Sequence, residues 1–117
     1  MFMLPKNRRI LRKEFTDITK NGKRHHSPSF ILFLLPIRSK TGLNSKFSFS
    51  VSKKIHKKAV DRNKCRRIGY SVILRHLKQI KSGYYFFFSF KKTPKLISFA
   101  TLEKEILELL STLGMLI

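Results

Sequence analysis

Phe47-Ser48-Phe49-Ser50-Val51-Ser52-Lys53-Lys54 leads, within a few residues, into Lys57-Lys58-Ala59-Val60-Asp61-Arg62-Asn63-Lys64-Cys65-Arg66-Arg67-Ile68. The first part alternates strictly, with Phe47, Phe49 and Val51 on one face and Ser48, Ser50 and Ser52 on the other. That is the period of a strand with one core face and one open face, placed over about 46–52. The second part changes period. Cys65, Ile68 and Val72 recur at spacings of three and four, and Ile73, Leu77 and Ile80 continue the apolar side, which predicts a helix over about 58–81. Gly69 inside it costs about 1 kcal/mol relative to Ala. A strand end and a helix start therefore meet under dense positive charge.

Working outward, Phe30-Ile31-Leu32-Phe33-Leu34-Leu35, closed by Pro36, is bulky on both faces and predicts a covered, central strand over about 29–35. A polar loop through Thr41-Gly42-Leu43-Asn44-Ser45 follows it. Gly83 opens Tyr84-Tyr85-Phe86-Phe87-Phe88-Ser89-Phe90, a strand over 84–90, before Lys91-Lys92-Thr93-Pro94-Lys95 breaks the pattern. A short amphipathic helix over about 13–21 has Phe15, Ile18 and Thr19 on one side and Gly22 as its C-terminal stop. The final helix, about 101–113, has Thr101 as N-cap and Leu102, Ile106, Leu109, Leu110 and Leu113 on its buried side. Glu103, Glu105 and Glu108 read as its solvated face near the positive helix end. No repeat, linker or composition break divides the chain, so residues 1–117 form a single domain.

Lys and Arg number 26 against 6 Asp and Glu, a formal charge of +20 in 117 residues. Such an excess opposes compaction unless a polyanion shares the surface, and nucleic acid is the partner it points to. Hydrophobic residues at 42% argue against a disordered basic tail. With Cys65 as the sole cysteine, no intramolecular disulfide and no thiolate zinc site can form, and a reducing, cytoplasmic location is expected. The start, Met1-Phe2-Met3-Leu4-Pro5-Lys6, lacks an apolar run of signal-peptide length, and no stretch is long enough to span a membrane. His25, His26, His56 and His76 follow no ligand spacing and read as surface histidines, so no metal site is expected on the chain. Glu14 and Asp17 fit intrahelical pairing with neighbouring cations. No nucleophile lies beside a base.

In the long helix Lys58, Arg62 and Arg66 recur every four residues along one edge, while Lys64 and Arg67 project from another side. The arginine fork can hold phosphate oxygens through two hydrogen bonds and can stack on a base, and Asn63 adds a donor and an acceptor. The alternative is a solvated face of an amphipathic helix, but like charges at this spacing repel one another, and a bound polyanion relieves that repulsion.

Ser52, Lys53, Lys54, Ala59, Arg62, Asn63, Arg66 and Arg67 together resemble the arginine-rich signature of the bacterial ribonuclease P protein subunit. The resemblance extends over nearly the whole chain, through Asn7-Arg8, Phe15 and Gly22 at the first helix. It implies an α+β fold, an α/β sandwich of about four strands and three helices with a left-handed βαβ crossover. The fourth strand falls as a split or edge strand near residues 24–30. It further implies that Lys53, Lys54, Lys57, Lys58, Arg62, Asn63, Lys64, Arg66 and Arg67 face a catalytic RNA. A cleft formed by Phe15, Ile31, Phe33, Lys46, Ser50, Phe88 and Phe90 would hold the single-stranded 5′ leader of precursor tRNA, its aromatic faces stacking unpaired bases. Three positions depart from the family pattern. Lys64 replaces an arginine and loses the bidentate fork, Thr19 stands where a second helix aromatic is frequent, and Phe90 stands where arginine is common.

The activity implied is that of a ribonucleoprotein tRNA-processing endonuclease, a hydrolase. Its catalytic groups and Mg2+ belong to the RNA subunit, and the protein supplies binding. The expected partners are one ribonuclease P RNA per protein and precursor tRNA, with no DNA and no membrane. A non-enzymatic basic RNA-binding protein, such as a ribosomal protein or an RNA chaperone, shares the charge but does not require the paired motifs around Phe15 and Arg62. A protein-only nuclease would need a set of metal-binding acids that the sequence does not assemble.

Overall fold

The computed structural model describes residues 8–37, 44–91 and 97–117. Asn7, Thr41–Leu43 of the expected polar loop and the breaker residues Lys92–Lys95 lie outside them. A 3-10 turn at Arg12–Glu14 leads into α1 (Phe15–Asn21), β1 (Lys23–His26), β2 (Phe30–Pro36) and β3 (Lys46–Ser50). Then come α2 (Ala59–His76), a 3-10 turn at Leu77–Gln79, β4 (Tyr84–Phe90) and α3 (Phe99–Thr112). The sheet order is β1-β2-β4-β3, with β1–β2 and β2–β4 antiparallel and β3–β4 parallel. Three helices on a mixed four-stranded sheet make this an α+β fold. β2 is central, β1 is the edge strand expected near residues 24–30, and α2 carries the chain from β3 to its parallel neighbour β4.

Element ends differ from expectation where local hydrogen bonds intervene. β3 stops at Ser50 rather than Ser52, because the Ser52 carbonyl accepts from the N–H groups of Ile55 and His56 at 3.0 and 3.3 Å and turns the chain. α3 begins at Phe99, with Ser98 rather than Thr101 as its N-cap: the Ser98 hydroxyl accepts from the Thr101 N–H at 3.2 Å. α2 ends at His76, and the residues expected to extend it tighten into the 3-10 turn.

The sheet has two covered faces, set by strand register. Phe30 pairs with Phe90, Leu32 with Phe88 and Leu34 with Phe86, and all face the main core beneath α2 and α3. The intervening pairs, Ile31 with Ser89, Phe33 with Phe87 and Leu35 with Tyr85, face α1 and form a smaller cluster around Ile18 and Ile10. Across the parallel ladder Phe47 stacks on Phe86 with ring centroids 5.1 Å apart, and Phe49 on Phe88 at 4.6 Å. Offset pairs at these separations add about 0.5–1.5 kcal/mol each beyond their buried area.

The acidic residues do more than expected. Glu105 is not part of a solvated face: it accepts from the hydroxyls of Ser27 and Ser29 at 2.7 and 2.6 Å and from the Ser29 N–H at 2.9 Å, tying the β1–β2 turn to α3. Glu103 binds His76 Nε2 at 2.8 Å, with Arg75 3.5 Å away. His76, whose other ring nitrogen lies 3.1 Å from Gln79, is thus a bridge between α2 and α3 rather than a free surface histidine.

Two glycines are explained by close approach. A side chain at Gly22 would put its Cβ 2.5 Å from the Ile18 carbonyl oxygen, so this stop works by contact and not by left-handed backbone, its φ being −72°. At Gly69 a Cβ would meet the Phe49 ring at 2.6 Å. That ring is held by Tyr70, Phe88 and Phe90 and cannot retreat cheaply. Gly69→Ala gains about 1 kcal/mol of helix propensity but overpacks the core at about 1–3 kcal/mol. A net loss of up to about 2 kcal/mol is expected in urea unfolding, and a stabilised variant would show that the ring moves aside freely.

Candidate nucleic-acid interface

The basic edge begins where β3 ends. Lys53, Lys54, Lys57 and Lys58 are exposed on the connection into α2, and Asn63, Lys64 and Arg67 are exposed on its first turns. Lys58 is the N-cap and offers no side-chain acceptor, and Asp61 is the sole acid in the first turn. The positive pole of the helix thus coincides with lysine charge, which disfavours the isolated arrangement and favours an anion beside it.

Arg62 and Arg66 are half-buried and engage different partners. Arg62 Nη1 donates to the carbonyls of His56 and Lys57 at 2.9 and 2.8 Å, reaching back under the lysine connection. Arg66 Nη2 donates to the Asn63 side-chain carbonyl and also lines a cavity of about 340 Å³ with Phe15, Thr19, Ser48, Phe49, Ser50 and Phe87. Arg66 therefore stands where the basic edge and the sheet cleft meet.

The cleft lies between α1 and the sheet face carrying Ile31, Phe33, Tyr85, Phe87 and Ser89. Phe15 meets Phe87 edge-on at 5.1 Å, Phe33 lies 5.5 Å from the same ring, and Arg24 sits over Phe33 at 5.4 Å. Ile31, Phe33, Lys46, Ser50 and Phe15 lie on this side of the sheet, with Phe33 buried in its cluster. Phe88 and Phe90 do not. They point into the opposite face, Phe88 fully buried against Phe30 and Phe49 and Phe90 6% exposed. The correct phase of β4 presents Tyr85, Phe87 and Ser89, so Phe87 is the cleft aromatic that the sequence reading missed. The signal was Ser89: in an all-aromatic run the one polar residue marks the open face, and two residues back lies Phe87. Thr19 lines the cleft, but its hydroxyl donates to the Phe15 and Thr16 carbonyls at 2.9 and 3.2 Å, bonding back into its own helix.

At the other end of the cleft face Glu14 accepts from the Leu11 N–H at 2.7 Å and from the Tyr85 hydroxyl, with the Lys46 ammonium 3.5 Å away. These are sheet and turn partners rather than intrahelical ones; Asp17 alone bonds within α1, to Asn21. Burial works to raise the Glu14 carboxyl, but Tyr85, the Leu11 N–H and Lys46 together hold it below its ordinary value. Burial, and then the carboxylate beside it, push the Tyr85 phenol up to about 12. Burial likewise raises the Cys65 thiol, which is packed in the main core.

The fold and its two surfaces define a small basic α+β protein with an aromatic cleft beside an arginine- and lysine-rich helix. The family model described as Ribonuclease P matches residues 4–114. A ribonuclease P protein component from Nitratiruptor is 31% identical over 101 residues, covering 85% of this chain and 84% of that protein. The fold is shared with the RNase P protein of Staphylococcus aureus at TM-score 0.78 and 21% identity, over 92% of this chain and 96% of that one. It is shared equally with the Thermotoga maritima RNase P protein, at TM-score 0.77 and 24% identity over 89% and 96%. The chain belongs to the ribonuclease P protein family.

The Glu14–Tyr85 pair gives two pH limits. Tyr85 is raised in the folded state, so its contribution to stability is complete below pH 10 and is lost as pH rises towards 12. Glu14 is lowered, so its contribution is present above its ordinary value of 4.5 and is lost as pH falls through the lower folded value. Glu14→Gln removes the carboxylate, and spectrophotometric titration referenced to Tyr85→Phe is expected to find the Tyr85 phenol closer to 10. An unmoved titration would leave burial as the whole cause.

Proposed function

We propose that the chain is the protein subunit of ribonuclease P, binding the catalytic RNA along the Lys53–Arg67 edge and the 5′ leader of precursor tRNA in the α1–sheet cleft. The observation that carries this reading is Arg66, which bonds Asn63 on the basic edge and lines the cavity of about 340 Å³ with the cleft aromatics Phe15 and Phe87. Phosphates follow the cations, and unpaired bases stack on the aromatic rings without sequence preference, at about 1–3 kcal/mol each. Binding the leader in this way raises affinity for precursor over product.

The hydrolysis of the phosphodiester at the tRNA 5′ end belongs, in this reading, to the RNA subunit with its bound Mg2+. Mg2+ asks for oxygen ligands in octahedral array. Glu14, Asp17, Glu103 and Glu105 are each engaged by protein partners, and no group of three His, Cys, Asp or Glu side chains placed for a metal occurs among the described residues. In this reading the ion is held by the RNA subunit. The protein's part is positioning, in a one-to-one cytoplasmic ribonucleoprotein. Among the described residues no helix is long and apolar enough to cross a membrane.

Adding the chain to a bacterial catalytic RNA at low magnesium is expected to raise precursor cleavage well above the level reached with an unrelated basic protein; equal stimulation would favour a general RNA chaperone. Phe87→Leu keeps apolar packing but removes the stacking face. It is expected to weaken holoenzyme binding of leader-bearing tRNA by roughly 5- to 150-fold, the equivalent of about 1–3 kcal/mol, and to leave mature tRNA binding nearly unchanged. Equal losses for both tRNAs would reduce Phe87 to a packing residue.

A further inference from the structure

We infer that Arg62 is a positioning residue: it braces the Ser52–Lys58 connection so that four lysines are presented together, and acts on RNA mainly through them. This rests on the reading of the basic edge as an RNA surface. A guanidinium has five N–H donors, and both on Nη1 of Arg62 are used by consecutive backbone carbonyls, His56 at 2.9 Å and Lys57 at 2.8 Å. Three donors remain, on Nε and Nη2. A residue whose sole task was to grip phosphate would not turn one end of its fork into its own chain.

The connection needs such a brace. It holds no helix or strand from Val51 to Lys58, and its local backbone ties are the Ile55 and His56 N–H groups on the Ser52 carbonyl and the Arg62 N–H on the Lys58 carbonyl. Lys53, Lys54, Lys57 and Lys58 repel one another across it, and an added carboxylate brace would cancel the charge an RNA surface requires. Arg62 solves both problems: carbonyl dipoles accept the guanidinium, so the segment is tied down with no loss of positive charge. Lysine at this position keeps the charge, but its ammonium ends one bond short of Nη1 and lacks the planar fork.

The two roles separate by salt dependence, because each phosphate contact contributes about 0.7–0.9 to the slope of log affinity against log salt. Binding of the full chain to a bacterial ribonuclease P RNA is measured across a salt series for the native chain, Arg62→Lys, Arg62→Ala and the double variant Lys53→Ala, Lys54→Ala. Amide exchange of the RNA-free proteins is followed over residues 52–58. Both Arg62 variants are expected to flatten the slope by at least two contacts and to speed exchange in 52–58, with exchange at the core helix residues Val72 and Ile73 unchanged. The inference is overturned if Arg62→Lys binds like the native chain, or if Arg62→Ala removes a single contact and leaves exchange in 52–58 unchanged. If the lysine double variant weakens binding while Arg62→Lys does not, only the brace fails. If neither affects binding, the RNA-surface reading fails with it.

Discussion

Phe49 lies on Phe88 across the parallel β3–β4 ladder, with rings 4.6 Å apart and 8° from parallel, and α2 rests on the other side of Phe49 because Gly69 has no side chain. That contact settles the depth at which α2 crosses the sheet, and with it the place of everything α2 carries. The first turns of the helix must emerge beside the end of β3, so the lysine connection folds over them. Arg66, one turn below Gly69, then falls beside Ser48 and Ser50 at the mouth of the cleft. The unfavourable helix propensity of a mid-helix glycine is offset by a packing geometry that no larger residue permits.

A chain with a formal charge of +20 gains from keeping its few acids away from the surface meant for a polyanion. Four of the six are engaged by protein partners: Glu103 and Glu105 tie α3 to α2 and to the β1–β2 turn, Glu14 joins the N-terminal turn to β4 and β3 at one end of the cleft face, and Asp17 bonds within α1. Each is worth most where it is partly desolvated and held by several donors, as at Glu105, and least where exposed. The outcome is a scaffold stapled by carboxylates on its far side and flanks, with the α2 start left strongly positive.

The sheet presents its two faces differently. One is closed by α2 and α3 over an all-apolar set; the other is only partly covered, because α1 is two turns long and reaches little beyond β2. Phe33 is buried on that second face, while Phe15, Tyr85 and Phe87 are half-buried, the condition in which a ring can accept a base without first being exposed at a cost.

Much of this was legible in the chain. Alternation in Phe47–Val51 and the three-and-four spacing of Cys65, Ile68 and Val72 are local periods, and they fix strand and helix through backbone geometry alone. The basic signature from Ser52 to Arg67 is contiguous, so its place at a strand-to-helix junction was likewise readable. Where local pattern was silent, the reading failed: Tyr84–Phe90 is aromatic on both sides, and only pairing with β2 and β3 decides that Phe87 faces the cleft while Phe88 and Phe90 are core. Glu14, Glu105 and His76 find partners 27 to 78 residues away, and Arg62 turns to its own backbone instead of outward. Sequence by itself determined the elements and the charge, because these follow from short-range periodicity and composition, and its contiguous basic motif carried the family resemblance. Only tertiary structure decided which side of β4 is open and what each charged group holds, because those depend on long-range register and on distances of a few ångströms.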